Sequence, residues 1–364
     1  MTDRIKLAKT TPYRNQTAVF SIMAIFLLCL LLKNAEIAVD YMRAGLRLCA
    51  STVIPSLFPF MVISELLVAS GIGNRLGNLL GGATKRMFGV SADAVPAILL
   101  GALCGFPVGA KTAISLYDSN RLSRREVERL LTFCNTPSPG FLISAVGVSL
   151  FGNRSFGVFL FFAALLFALL CGGILQRIFP ISPPKKLVST DSYYSPPSLT
   201  HALSSATASM LSVCACVIFF TSIIGCFSHA VGALGLSQRL EALLFCIFEI
   251  SSGVSAAAED VSPARLALCG FAVGWSGISV HFQILSLGAA RGISFAPYLL
   301  SKGLQGLLLA ATAYFYGSHI APELLDVSAS LMLPRNSENI LFPLSVCIFF
   351  TICVLLYVKK GRRS

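Results

Sequence analysis

Apolar segments recur along the chain near 17–32, 47–70, 94–117, 129–150, 155–176, 203–228, 240–257, 264–288, 296–317 and 339–358. Their lengths lie close to the roughly 20 residues that carry a helix across a bilayer core. Several are broken by Gly and Pro, so the pattern predicts full spans mixed with interrupted and re-entrant pieces. The expectation is an all-α polytopic membrane protein with about 8–10 membrane segments.

Composition agrees. Of the residues 55% are hydrophobic and only 12% charged, with a mean hydropathy of +0.78. Soluble domains carry about 25% charged residues and cannot hide this much apolar surface. The net charge of +12 comes from basic residues gathered at the termini and in short loops. That distribution reads as orientation by the positive-inside rule rather than nucleic-acid binding. The cysteines lie mostly within apolar runs and include no CxxC, so they are expected as packing residues, without disulfide or metal. The first apolar run resembles a signal peptide, but Lys33-Asn34-Ala35-Glu36 offers no A-x-A-like cleavage site, and an uncleaved span is expected.

The segment 180–200 holds five prolines and no long apolar run, which marks a linker. The chain then divides into a tail and first span (1–44), a first repeat (45–179), the cytoplasmic linker (180–200), a second repeat (201–320), and a loop, last span and basic tail (321–364). The repeats are suggested by LCGFPVGAK at 103–111 and LCGFAVGWS at 268–276, 165 positions apart. Two further matches lie 164 apart: Arg75-Leu76-x-x-Leu79-Leu80 with Arg239-Leu240-x-x-Leu243-Leu244, and GVSA at 89–92 with 253–256. Basic loops at Arg121–Arg129 and Arg177–Lys186 point to the cytoplasm. The matched Arg291 is then expected on the opposite side, as in an inverted repeat, with 75–117 as a re-entrant hairpin or two spans. The basic tail Lys359–Arg363 conflicts with that scheme, since strict inversion places it outside.

Interrupted helices free backbone groups that lipid cannot satisfy, so such breaks survive where they line a cavity or meet a ligand. The expected breaks are Gly105-Phe106-Pro107-Val108-Gly109 in the first repeat and Gly270 through Gly277 in the second. A further break at Phe133–Gly140 offers Asn135 and Thr136. Ser276, Ser279 and Gln283 share a helical face, with His281 beside it. Intramembrane charges usually have a role. Lys111 follows the first break and is a point charge for an anion, whereas Glu249 is a coupling candidate or a partner of Lys111; Glu65 is the third such charge. The substrate-binding set is therefore Gly105, Phe106, Pro107, Gly109, Lys111, Asn135, Thr136, Gly270, Ser276, Gly277, Ser279, His281 and Gln283. No catalytic or nucleotide-binding motif occurs, and neither an enzyme activity nor a cofactor is expected.

The stretches LLGALCGFPVGAKTAISLY (99–117), RLLTFCNTPSPGFL (129–142) and GWSGISVHFQ (274–283) resemble the YlbJ-type sporulation integral membrane proteins of endospore-forming bacteria. That family carries the nucleoside-recognition gate domain also found in concentrative nucleoside transporters. The second repeat departs in having Ala272 for the first repeat's proline and Trp275 where glycine is expected. The resemblance implies a multi-pass protein of the outer forespore membrane that moves dipicolinic acid during sporulation. Helix N-termini and Lys111 would neutralise this dianion while Phe106, Phe133 or Trp275 pack on its ring. A nucleoside-type carrier and a non-transporting scaffold of the spore envelope are the alternatives. The expected partners are a small-molecule anion and membrane lipid, with no nucleic acid; an oligomer is left open.

Overall fold

The computed structural model describes residues 11–70, 72–182, 198–232, 238–259, 262–288 and 291–320. Among them the chain is helical, with no strand. Helix α1 (Thr11–Lys33) is followed by α2 (Ala35–Leu48), which continues through a π-helical turn at Cys49–Val53 into α3 (Ile54–Ala69). The segment expected at 47–70 is thus longer: Ala35–Ile63 forms one 29-residue candidate span. Its early charges Asp40 and Arg43 are exposed and pair with each other, so they do not interrupt it.

Next come α4 (Ile72–Phe88), α5 (Val95–Cys104), α6 (Val108–Asp118) and α7 (Arg124–Leu131), then a π-helical stretch at Gly140–Leu150 and α8 (Arg154–Ile178). The second half holds α9 (Leu199–Gly232), α10 (Gln238–Phe248), α11 (Ile250–Ala257), α12 (Pro263–Trp275), α13 (Gly277–Gly288) and α14 (Ala296–Phe315). By length and composition four helices can cross a membrane among the described residues, or five if the pair bent by 97° at Leu79–Phe88 and Ala92–Cys104 is one span.

Helix α8 shows the solvent its surface is built for. Large apolar Phe162, Leu166, Leu170 and Ile174 are exposed at four-residue spacing, while Gly157, Ala164, Ala168 and Gly172 face inward. Large residues outward and small ones inward is how helices pack in lipid. The chain is a multi-pass membrane protein.

Each half contains a pair of short helices, an interrupted span and a long helix. In the first unit α5 and α6 form a hairpin, α7 and Gly140–Leu150 form a broken span, and α8 returns along it. Gly157 touches Ile143, Gly172 touches Phe133, and Arg129 donates to Gln176 and to the Phe179 carbonyl. In the second unit α10 and α11 form the hairpin, α12 and α13 the broken span, and α14 returns along it, with Gly317 at Leu266 and Gly288 at Phe295. Hairpin arms of 8 to 11 residues are about 12–16 Å long, half the hydrocarbon thickness, so no arm crosses by itself.

The fold does not repeat in the register of the sequence matches. The N-cap serines Ser123 and Ser262 of the broken spans lie 139 positions apart, and the returning helices begin 142 apart, at Arg154 and Ala296. In the 164-residue register, Gly89–Ala92 falls at the turn between α4 and α5, but Gly253–Ala256 lies inside α11. The break expected over Gly270 through Gly277 lies at the end of that stretch, at Ser276 and Gly277, and not at Gly270. Helix α12 runs through it to Trp275, because Ala272 keeps the amide that Pro107 lacks. Gly270 instead admits the backbone of α14: a Cβ there would lie 2.4 Å from the Leu309 carbonyl oxygen.

Topology is corrected too. Arg291 pairs with Asp118 through two bonds of 2.7 Å, and Ser294 N donates to Glu128. The Arg291 loop therefore sits beside the basic loop of the first unit, not across the membrane from it. The first broken span starts at that loop and the second ends there. Helix α14 then leads away from the basic side. The apolar segment 339–358, the basic tail and most of the linker lie outside the described residues. Reporter fusions after Arg125 and Arg291 are accordingly expected to report one common side; opposite signals from the two contradict this topology.

Candidate functional site

Four interruptions, two from each unit, are built by identifiable residues. Helix α5 ends at Gly105, whose φ of +75° suits a residue without Cβ, and the cis Phe106–Pro107 bond leads into α6. Helix α7 ends before Pro137 and Pro139, and the chain becomes helical again where the Ser138 hydroxyl accepts from Phe141 N at 3.1 Å. Glu249 separates α10 from α11 and caps the latter, its carboxylate accepting from Ser252 N at 2.6 Å. Ser276 and Gly277 separate α12 from α13 with φ of +72° and +80°.

These interruptions meet. Phe106 N donates to the Thr136 carbonyl at 3.1 Å, and the Thr136 hydroxyl donates to the Gly101 carbonyl at 3.3 Å, which joins the first hairpin tip to the first broken span. Gly277 approaches the second hairpin so closely that a Cβ would lie 3.0 Å from Glu249 Cα. The Trp275 indole donates to the Ile247 carbonyl at 2.9 Å. Helix α14 then links the units. Its Ser301 hydroxyl and Gln305 amide donate to the Thr132 carbonyl at 2.8 and 2.9 Å. Lys302 Nζ donates to the Asn135 carbonyl and, at 3.2 Å, to the Ser276 hydroxyl. Carbonyls freed by the first broken span thus receive donors from the second unit, as an environment without water requires.

A small cavity lies among these breaks. The hairpin tips contribute Phe106, Glu249 and Ser251; the broken spans contribute Ser138, Phe141 and Gln283; α3 and α9 supply Leu57, Val213 and Val217. The wall is mostly apolar with a few converging polar groups, the common form of a small-molecule site. Glu249 is the charged group on that wall.

Of the residues expected from the sequence, Phe106, Glu249 and Gln283 line the cavity. Gly105, Pro107, Asn135, Thr136, Ser276 and Gly277 form the breaks around it. Gly109 has a packing role: a Cβ would lie 2.0 Å from the Cys134 carbonyl oxygen. Ser279 is buried beside the break, and His281 bonds through Nδ1 to the Tyr298 hydroxyl at 2.8 Å. Asn135 Oδ1, Ser279 Oγ, His281 Nε2 and Gln283 Oε1 are buried without protein partners, four such atoms within one region. Gly270 stands apart, inside α12. Lys111 also stands apart from the cavity wall. Its ammonium is held by Glu65 at 3.0 Å and by Ser205 and Ser209 at 2.7 and 3.2 Å, so its partner is Glu65 and not Glu249.

Sequence reasoning missed Lys302, Ser301 and Ser251, whereas Ser138 lay within the expected break at Phe133–Gly140. A signal for Lys302 existed, since a cation inside the apolar run 296–317 obeys the same rule that singled out Lys111. The serines gave none, because hydroxyls in membrane helices commonly bond their own backbone.

A model of the family described as "Gate: Nucleoside recognition" matches residues 50–154, which contain the first hairpin and the first broken span. No solved structure matches the chain. It is 30% identical over 325 residues to the sporulation integral membrane protein YlbJ of Bacillus subtilis (strain 168), and the match covers 79% of each chain. With its sequence aligned along most of that protein and its gate segment building half of the central site, the chain belongs to the YlbJ family of sporulation integral membrane proteins.

Proposed function

We propose that the protein is a secondary transporter or facilitator that moves a small solute across the outer forespore membrane, with the cavity among the four breaks as its binding site. The supporting observation is the convergence of interrupted segments from the two units on one partly polar cavity. Motion of one unit against the other would expose that cavity to each side in turn. The solute suggested by the family is the dianion dipicolinate. Phe106 and Phe141 offer faces for its ring. Glu249 opposes its charge, so dipicolinate would enter together with a proton on that carboxylate, which gives Glu249 the coupling role.

One observation favours a second reading. A carboxylate and an amide on the wall, with Lys111 turned to Glu65, suit a solute that donates hydrogen bonds, such as a nucleoside with its hydroxyls and ring N–H groups. The test is uptake of labelled dipicolinate and labelled uridine into liposomes containing the purified protein, with and without an imposed pH gradient. Dipicolinate entry that rises with the gradient is expected. Entry of uridine alone selects the nucleoside reading; entry of neither overturns transport and leaves a scaffold in envelope assembly.

A further inference from the structure

Lys302 is 1% exposed in the middle of α14, and no carboxylate lies within salt-bridge distance of it among the described residues. An ammonium buried in a membrane helix without a counter-charge is costly and is normally tied to function. Its acceptors here are the Asn135 carbonyl, freed by the break in the first broken span, and the hydroxyl of left-handed Ser276 at the break in the second. One side chain thus joins two interruptions separated by 141 positions in the chain. Oxygen donors from unwound backbone and a hydroxyl are the ligands a bound alkali cation would take. The protein supplies the positive charge covalently.

We propose that Lys302 is a built-in cation that pins the two broken spans together while it holds its proton, and that loss of the proton frees them to rearrange around the cavity. Deprotonation breaks one N–H bond and passes the proton to water entering the loosened junction, leaving a neutral amine. The amine keeps donors but loses the charge that made both bonds strong. The titratable groups near Lys302 are Cys134 in the first break, Cys171 on α8, His281 on α13 and Tyr298 on its own helix. The buried arginines of the neighbouring spans point elsewhere, Arg129 to Gln176 and the Phe179 carbonyl, Arg265 to the Ala256 carbonyl. None of these supplies a fixed negative charge. Lys302 is a positioning residue: it acts through the breaks and does not line the cavity.

The experiment follows alkylation of Cys134, which is buried in the pinned segment, by peptide mass spectrometry across a pH series in detergent. Lys302→Met is expected to raise Cys134 labelling about tenfold over wild type at low pH, as loss of a charged hydrogen bond implies. This ratio falls towards one at high pH, where wild type is released as well. Lys302→Arg, which stays charged, is expected to protect Cys134 at high pH better than wild type does, and it serves should the methionine variant not fold. Equal labelling of all three proteins, or a Lys302→Met ratio constant across pH, overturns the proposal. The flux arm rests on the transport reading: without an imposed gradient, solute entry by Lys302→Met loses the rise at high pH that release of the pin gives wild type, while the gradient stimulation carried by Glu249 persists; a rise equal to that of wild type counts against the pin. Should wild type move no solute, that reading fails while the labelling still decides the role of Lys302.

Discussion

Replacing Gly109 with alanine is expected to destabilise the protein by about 3 kcal/mol or more, at the upper end of overpacking effects. A Cβ at this position would lie 2.0 Å from the Cys134 carbonyl oxygen and would press α6 off the unwound part of the first broken span. Backbone is met on the far side, so no side-chain rotation relieves the contact. A Cβ on Gly101, on the opposite arm, would lie 1.9 Å from the same oxygen, so the hairpin and the break are held at one shared point. The measurement is the thermal midpoint of detergent-purified protein together with its yield. Gly82→Ala is the control: its Cβ would meet nothing within 4 Å, and alanine favours the helix by up to about 1 kcal/mol. Equal midpoints for the two variants would show that the hairpin does not rest on Cys134.

Glu249→Gln separates charge from shape. The amide oxygen of glutamine can still accept from Ser252 N, so folding stability is expected to change by less than about 1 kcal/mol. Solute entry under a pH gradient should fall by about tenfold or more, since glutamine cannot carry in the proton that offsets the charge of the dianion. Any stimulation by a pH gradient should vanish with it, because the amide does not titrate. Glu249→Ala loses the helix cap as well and should lower the thermal midpoint in addition. Wild-type entry by Glu249→Gln would reduce this residue to a cap for α11.

The two variants probe different layers of one design. Gly109 lies where a hairpin is seated, and Glu249 where a hairpin tip meets the cavity. A seat that fails removes the protein; a tip that loses its charge leaves the fold and removes the flux.

Much of the architecture was legible in the chain because it follows from local rules. Apolar run length and low charge required a bilayer, and Pro107, Pro137 and Pro139 required interruptions, since proline lacks the amide that a helix needs. Glu249 stood out because a carboxylate in an apolar segment is expensive wherever the segment packs. The match at 103–111 and 268–276 misled because similar strings serve different ends. One contains Pro107 and breaks, whereas the other has Ala272 and continues, using Gly270 and Gly274 to admit α14.

The partners of the polar groups were decided by tertiary structure alone. Lys111 met Glu65 and two serines of α9, while Lys302 met a carbonyl 167 positions away and the Ser276 hydroxyl. A buried charge announces that it needs a partner, but its reach is set by which helices cross beside it. Membership of the membrane, the presence of breaks and the family motifs were properties of the sequence by itself, because each depends on residues adjacent along the chain. The side on which Arg291 emerges, the position of the second break and the ring of groups around the cavity came only with packing, because they depend on contacts between separate helices.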